Sequence, residues 1–457
     1  MKNHIYHIGI MIILVLGALL LMGMLPQYSV FGHQMRKVDV VSDLRMKTIE
    51  PDTIEAVLLP PPPKPAFVDS CQTGKVCIED YSDGVSHGMT PFYKALDELK
   101  SNPKRLVKVA YYGDSFVEGD ILTADLRQML QEKYGGSGIG YSPITTISSG
   151  FRLSVRYNAT GFTRHSIMDT VYFNRSLQDV SNHYFKAGEE ASIRFRGQNK
   201  YYAHLDTFSR ASFFFIPGEE TIVSAAINGK NVLTERFQGD DLQVAEVEGK
   251  IGSVTFSVQE ADSAALFYGV AMDGDSGIAL DNLSMRGASG LNVRSIPAKM
   301  MRRFYKLRPY DLVIMQYGLN VATRLGSNYD GYIKGMQTTI QHLKEYYPGA
   351  AILIVSVADR DYKNEEGEVR TMPGIRNLIR YQQNLAAEEG VAFWNMFEAM
   401  GGNESMKTLV DAKPSMANYD YTHINSRGGK HLAGLLFDAL VYGKEQYDRR
   451  RAYEAAD

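Results

Sequence analysis

The chain is poor in cysteine, with two in 457 residues, and neither sign of charge dominates: 49 Lys and Arg against 52 Asp and Glu leave a formal net charge of −3. That balance supplies no global field of the kind that draws a protein onto nucleic acid. Two cysteines alone cannot make a structural zinc site. Cys71 and Cys77 stand close together, which suits a small disulfide loop in an oxidising compartment. The uncharged apolar run Ile8 to Leu25 is long enough to cross a bilayer. It lacks the cysteine that a lipoprotein site requires and a small-x-small cleavage site, so a retained anchor is preferred over a cleaved signal. Lys2 is the only Lys or Arg before the run, whereas Arg36, Lys37, Arg45 and Lys47 follow it, so charge asymmetry alone does not place the bulk outside.

What is present exceeds one typical domain, and 44% hydrophobic residues are ample for a core. Residues 1–26 form the anchor or signal, and 27–88 a linker holding the cysteine pair and LLPPPPKP, Leu58 to Pro65. That stretch reads as an extended polyproline spacer, with a Pro-rich recognition site as the alternative. The organising stretch is Val107 to Gly119, VKVAYYGDSFVEG. An apolar run breaks at Gly113, which supplies freedom for a sharp turn, and Ile121 to Tyr134 follows with Leu122, Leu126, Met129 and Leu130 on one helical face. A strand, tight turn and helix present a side chain at the carboxyl edge of an α/β sheet, with free helical N–H groups aimed at it. Ser115 is the candidate nucleophile; the plainer alternative makes Asp114 or Ser115 a helix cap.

Partners lie further along. DLVIMQYGLN, Asp311 to Asn320, is a second buried strand ending in a side-chain amide, and DYTH, Asp420 to His423, brings an Asp/His pair near the C-terminus. A serine, an amide donor and an Asp/His pair, each just after a strand or in a loop, make a hydrolase constellation.

In the order of these blocks, over roughly Lys108 to Ala439, the chain resembles the SGNH (GDSL-type) hydrolases, and GDSFVEGDILTADLRQMLQEKYGGSGIGY is most like their peptidoglycan O-acetylesterase and O-acetyltransferase group. Phe116 stands where that group commonly has histidine, and Leu319 and Val321 flank Asn320 where Thr and Glu are usual. The resemblance implies an α/β three-layer sandwich with a mainly parallel sheet, built from 89–149 and 279–450. It implies Ser115, Asp420 and His423 as catalytic residues. The oxyanion hole would combine the Ser115 N–H, the Gly287 N–H and the Asn320 amide, with Gly287 taken over Gly290 from RGASG, and no cofactor is implied.

Between 150 and 278 the pattern changes to short β-rich runs such as ASIRFRG, SRASFFFIPG and TIVSAAINGKNVLTERF, punctuated by Gly, Pro and Asn-Gly. These suggest a β-sandwich or jelly-roll module inserted into the hydrolase fold. Tyr201, Tyr202, Arg194 and Arg196 could contact sugars there, or simply fill the sandwich. Gly274 to Gly277 repeats Gly-Asp-Ser, but strand-like flanks make it turn chemistry and count against Ser276. Asp359 and Arg360 read as solvated loop charges, and His431 as structural. The combined expectation is an esterase or acyltransferase on the extracytoplasmic or periplasmic face, anchored in the inner membrane. Its substrate would be an O-acyl, above all O-acetyl, cell-wall or surface glycan, and a membrane acyl-donor protein its possible partner. A lipase or thioesterase, or a non-catalytic glycan-binding component, are the rivals.

Overall fold

The computed structural model describes residues 71–454 apart from 84–86, 170 and 325, together with 59–60 and short stretches between 6 and 34. The chain divides into Met1–Glu55 and Ala56–Asp457. In the first unit, residues between Tyr6 and Gly17 are helical where described, and Ser29–Val30 pairs antiparallel with His33–Gln34. Among the described residues no helix is long and apolar enough to cross a membrane. The part of the expected anchor from Ala18 onward, and Pro61 to Pro65 of the spacer, lie outside the described residues.

In the second unit, a six-stranded sheet runs in the order Gly277–Asn282, Leu106–Gly113, Leu312–Gln316, Ala351–Val355, Ala392–Trp394, Glu79–Asp80. The first five strands are parallel and the last is antiparallel. Their near-continuous apolar sequences follow from burial on both faces: Val107, Val109, Ala110, Tyr111 and Tyr112 are all buried, as is every residue of Leu312–Gln316 and Ala351–Val355. One helix group, Thr90–Ser101, Thr123–Tyr134 and Ser426–Glu454, packs together; Ala298–Leu307, Asp330–Tyr346 and Gly374–Glu388 form a second. The expected linker is shorter than 27–88, since Glu79–Asp80 is already an edge strand. Cys71 and Cys77 are joined, and within their loop the Val76 carbonyl accepts a hydrogen bond from the buried Trp394 indole (3.1 Å).

The second sheet is antiparallel and has nine strands, from Lys230–Gly239 at one end of its main path to Gln243–Ile251 at the other. It begins earlier than residue 150, because Gly140–Pro143 already pairs with Leu266–Asp273. Asn228 and Gly229, both at positive φ (51° and 84°), turn the hairpin between Gly218–Ile227 and Lys230–Gly239, as Asn-Gly does in tight hairpins. Phe213, Phe215, Phe256 and Phe267 form its aromatic core, with Phe213 stacked on Phe256 and on Phe267. The chain therefore combines a parallel-containing sheet and a large antiparallel sheet within one mixed α/β unit. Ser276 lies in the turn carrying the chain from one to the other, where the Gly274 N–H bonds the Ser137 carbonyl and the Gly277 N–H that of Arg105.

Candidate active site

Three chain segments converge at the carboxyl edge of the parallel sheet. The middle one is the turn after Leu106–Gly113. The Asp114 carbonyl accepts from the Val117 N–H and its carboxylate from the Phe116 N–H (3.0 Å), which leaves Ser115 at the bend. Gly113 is required here for space: a Cβ would lie 2.1 Å from Cγ2 of Val117 and 3.3 Å from the Gln316 carbonyl. Its φ is not positive, so the expected conformational role gives way to a steric one. The expected run of helical N–H groups behind the serine is also displaced, since the α-helix starts only at Thr123.

On one side, the chain beyond Gly277–Asn282 stays in register with the central strand, its Leu283 and Met285 N–H groups bonding the Tyr111 and Gly113 carbonyls (2.8 and 2.9 Å). Gly287, exposed and at φ 77°, follows directly. Gly290 is instead packed inward, where a Cβ would strike Met336 and Tyr317. On the other side, Leu312–Gln316 leads through Gly318 to Asn320, whose Nδ2 donates to the Ala288 carbonyl at 2.9 Å. One amide hydrogen ties Asn320 to the Gly287 segment, and the second stays available.

The Asp420–His423 turn completes the arrangement. It is closed by the Asn418 N–H to the His423 carbonyl (2.8 Å) and by the Ala417–Ile424 bridge. His423 Nε2 lies 3.0 Å from Ser115 Oγ, and its Nδ1 lies 2.8 Å from Asp420 Oδ2. Asp420 also accepts the backbone N–H groups of Thr422 and His423, each at 3.0 Å. Burial works against its charge, but these donors and the His423 ring hold its carboxyl below the usual range. The tautomer that satisfies the contact carries its proton on Nδ1 and leaves the Nε2 lone pair facing the hydroxyl. Chemically, such a line removes a proton from Ser115 as its oxygen attacks an electrophilic carbon.

Groups that sequence reasoning left out of the site, or read differently, hold these segments in place. Burial pushes the Asp114 carboxyl up to about 6, against the Phe116 N–H, the nearby His423 and the Leu319 N–H. Buried Glu118 pairs with Arg286, beside Gly287, at 2.8 Å. Asp359 and Arg360, expected as solvated charges, are structural: Asp359 is fully buried and accepts from the Met406 N–H (2.9 Å) and the Ser405 hydroxyl (3.2 Å), while Arg360 donates to the Leu319 carbonyl (2.9 Å). The Asp361 N–H bonds the Tyr421 carbonyl (3.0 Å), so one loop braces both the Asn320 and the His423 segments. Burial and the adjacent Asp359 carboxylate push Asp361 up to about 7. Glu118 and Arg286 are 168 residues apart, too far for a local pattern to signal.

The four residues singled out for sugar contact differ in exposure. Tyr202 is buried with its hydroxyl on Asp125 (3.3 Å), whereas Tyr201, Arg194 and Arg196 are exposed. His431 is exposed on the last helix.

Neither a protein-family model nor a curated protein matches the sequence. Among solved structures, a peptidoglycan O-acetylesterase is similar at 22% identity and a TM-score of 0.65, covering 80% of this chain and 99% of its own. A family two carbohydrate esterase from Clostridium thermocellum, in complex with cellohexaose, aligns at 11% identity, 64% of this chain, 99% of its own and a TM-score of 0.28. The salicylyl-acyltransferase SsfX3 aligns at 11% identity, 62% of this chain, 96% of its own and 0.27. The chain has a mixed α/β fold, shared over four-fifths of its length with that of the peptidoglycan O-acetylesterase.

Proposed function

We propose that this protein is a serine esterase or acyltransferase that removes or transfers O-acetyl groups on a cell-wall or surface glycan. The observation that carries this reading is the continuous hydrogen-bonded line Ser115–His423–Asp420. In the first half-reaction, Ser115 Oγ bonds to the acyl carbon while its proton passes to His423 Nε2. Asp420 holds the ring in register and steadies the imidazolium. The tetrahedral oxyanion is met by the Ser115 and Gly287 N–H groups and the free hydrogen of the Asn320 amide. Collapse breaks the bond to the sugar oxygen, which takes the proton from Nε2. In the second half-reaction, water or a sugar hydroxyl gives a proton to His423 and its oxygen to the acyl carbon, and Nε2 returns that proton to Ser115 Oγ as the acyl–Oγ bond breaks.

The glycan substrate is supported by the fold shared with a peptidoglycan O-acetylesterase. An extracytoplasmic location is supported by the cysteine pair and the apolar N-terminal run. A membrane-bound acyl donor would serve the transferase form. The testing experiment incubates the full chain with a chromogenic acetate ester and with O-acetylated peptidoglycan, beside Ser115→Ala and Ser276→Ala. Release of acetate that disappears only in Ser115→Ala is the expected result; equal loss in Ser276→Ala, or no loss in either, refutes the assignment.

A further inference from the structure

The antiparallel sheet sends a turn to the reacting edge. It follows the strand Arg156–Ser166 and is closed by local bonds: the Asp169 N–H to the Ser166 carbonyl (2.8 Å), the Ser166 N–H to the Asp169 carboxylate (2.9 Å) and the Met168 N–H to the Ser166 hydroxyl (3.3 Å). Its base is tied down as well. The Ile167 N–H bonds the Asn182 carbonyl (3.2 Å), and Asn182 in turn accepts from the Asn292 amide (2.6 Å) and donates to the Asn292 carbonyl (3.3 Å). Asn292 belongs to the segment that carries Gly287 and Gly290.

Held in this way, Met168 lies on Gly287. A Cβ built on Gly287 would stand 2.9 Å from the Met168 methyl carbon. The Met168 side chain is 48% exposed, so it is not spent on the core and can touch a bound molecule.

The order of the parallel strands decides which part of a substrate meets that methyl. Gly277–Asn282, with Gly287 beyond it, lies on one flank of the Ser115 strand. The His423 turn is braced on the other flank, where the Tyr421 carbonyl accepts from the Asp361 N–H beyond Ala351–Val355 (3.0 Å). In the tetrahedral intermediate the reacting carbon carries Ser115 Oγ, the oxyanion, the leaving oxygen and the acyl substituent. The leaving oxygen must face His423 Nε2, which supplies its proton. The acyl substituent therefore points away from His423, toward the Gly287 flank and the Met168 methyl.

We propose that Met168 is a specificity-determining residue whose methyl forms the end wall of the acyl pocket, so that the site takes acetyl and turns away longer acyl groups. This rests on the esterase reading above. It also gives the antiparallel sheet a direct part in the reaction, because the wall comes from that sheet and the nucleophile from the other. A single methylene pressed against a packed wall is worth roughly 10- to 200-fold in kcat/KM.

The test measures kcat/KM of the full chain on p-nitrophenyl acetate and p-nitrophenyl butyrate. Met168→Ala removes the wall, so the acetate-to-butyrate ratio falls at least ~10-fold, whereas Met168→Phe thickens it and the ratio rises. Met168→Leu, of similar volume, stays within ~3-fold of the parent. A merely structural role would lower both esters together and leave the ratio where it was. A ratio unmoved in both Met168→Ala and Met168→Phe overturns the proposal, as does a shift of both in one direction. Should Met168→Ala fail to fold, Met168→Phe and Met168→Leu still decide. Turnover that Ser115→Ala abolishes, with the ratio unmoved, sinks the wall and leaves the esterase reading standing. A parent inert on both esters, or turnover that survives Ser115→Ala, sinks that reading and the wall with it.

Discussion

Replacing Asp114 by asparagine isolates the cost of holding a charge under the reactive turn. The carboxyl moves from an ordinary 3.8 to about 6 on folding, chiefly because it is buried. Well below 3.8 it is protonated in the folded and unfolded chains alike. As pH rises from there to 6, the unfolded chain releases the proton first, so stability falls across that window. The total penalty is ~3 kcal/mol, of which ~2 kcal/mol falls between pH 4.5 and pH 8. Asparagine keeps an oxygen for the Phe116 N–H and cannot ionise, so it removes the penalty whatever fixed packing cost it adds. The assay is urea unfolding of both proteins at pH 4.5, 6 and 8, followed by emission of the single tryptophan, Trp394, which is wholly buried. Asp114→Asn should gain on the parent by ~2 kcal/mol from the lowest pH to the highest. Other titrating groups cancel in the comparison. A constant difference across the three pH values would show that Asp114 is not held up, and a shrinking one would invert the sign.

Other outcomes follow from the same contacts. Asn320→Ala removes one of the three proposed oxyanion donors and should lower kcat by roughly two to three orders of magnitude with little change in KM, measured on an acetate ester. Asp420→Asn leaves the turn in place but admits the wrong imidazole tautomer, and a fall of about 10⁴ in kcat is expected; a fall of less than tenfold would remove Asp420 from the mechanism. Arg360→Met frees the Leu319 carbonyl and lets the Asn320 segment drift, which should cost kcat about tenfold while Arg360→Lys recovers part of it. Cys71→Ser loosens the loop whose Val76 carbonyl holds the Trp394 indole, so native emission should shift to the red with esterase activity retained.

How much of this was legible in sequence depended on range. The strands Leu312–Gln316 and Ala351–Val355 announce themselves because a parallel strand buried on both faces must be apolar throughout. Asn228-Gly229 marks its hairpin because few residue pairs tolerate two successive positive φ values. Ser115, His423 and Asp420 sit in short motifs, so their types and order could be read even though their meeting could not. Asp359 shows the limit: a carboxylate after a strand looks the same whether it faces water or caps a helix 46 residues later. The edge strand Glu79–Asp80 has no pattern of its own and exists because Phe393 and Ala392 present an unpaired edge to it. Gly113 was recognised for the wrong property, since crowding by Val117 leaves no trace in a one-dimensional pattern.

The strand Gly277–Asn282 returns to lie directly beside Leu106–Gly113 after the chain has built the whole antiparallel sheet. Ser115 and Gly287 are thus spatial neighbours at the two ends of a long excursion. During synthesis, the reacting edge cannot form until that excursion has been made and its ends brought back, which keeps the serine turn incomplete while the chain is still emerging. Once closed, the loop's length costs little, because closure entropy grows only with the logarithm of the number of residues. The excursion is therefore the part of this architecture whose length could change at little entropic cost while the reacting edge itself stays unchanged.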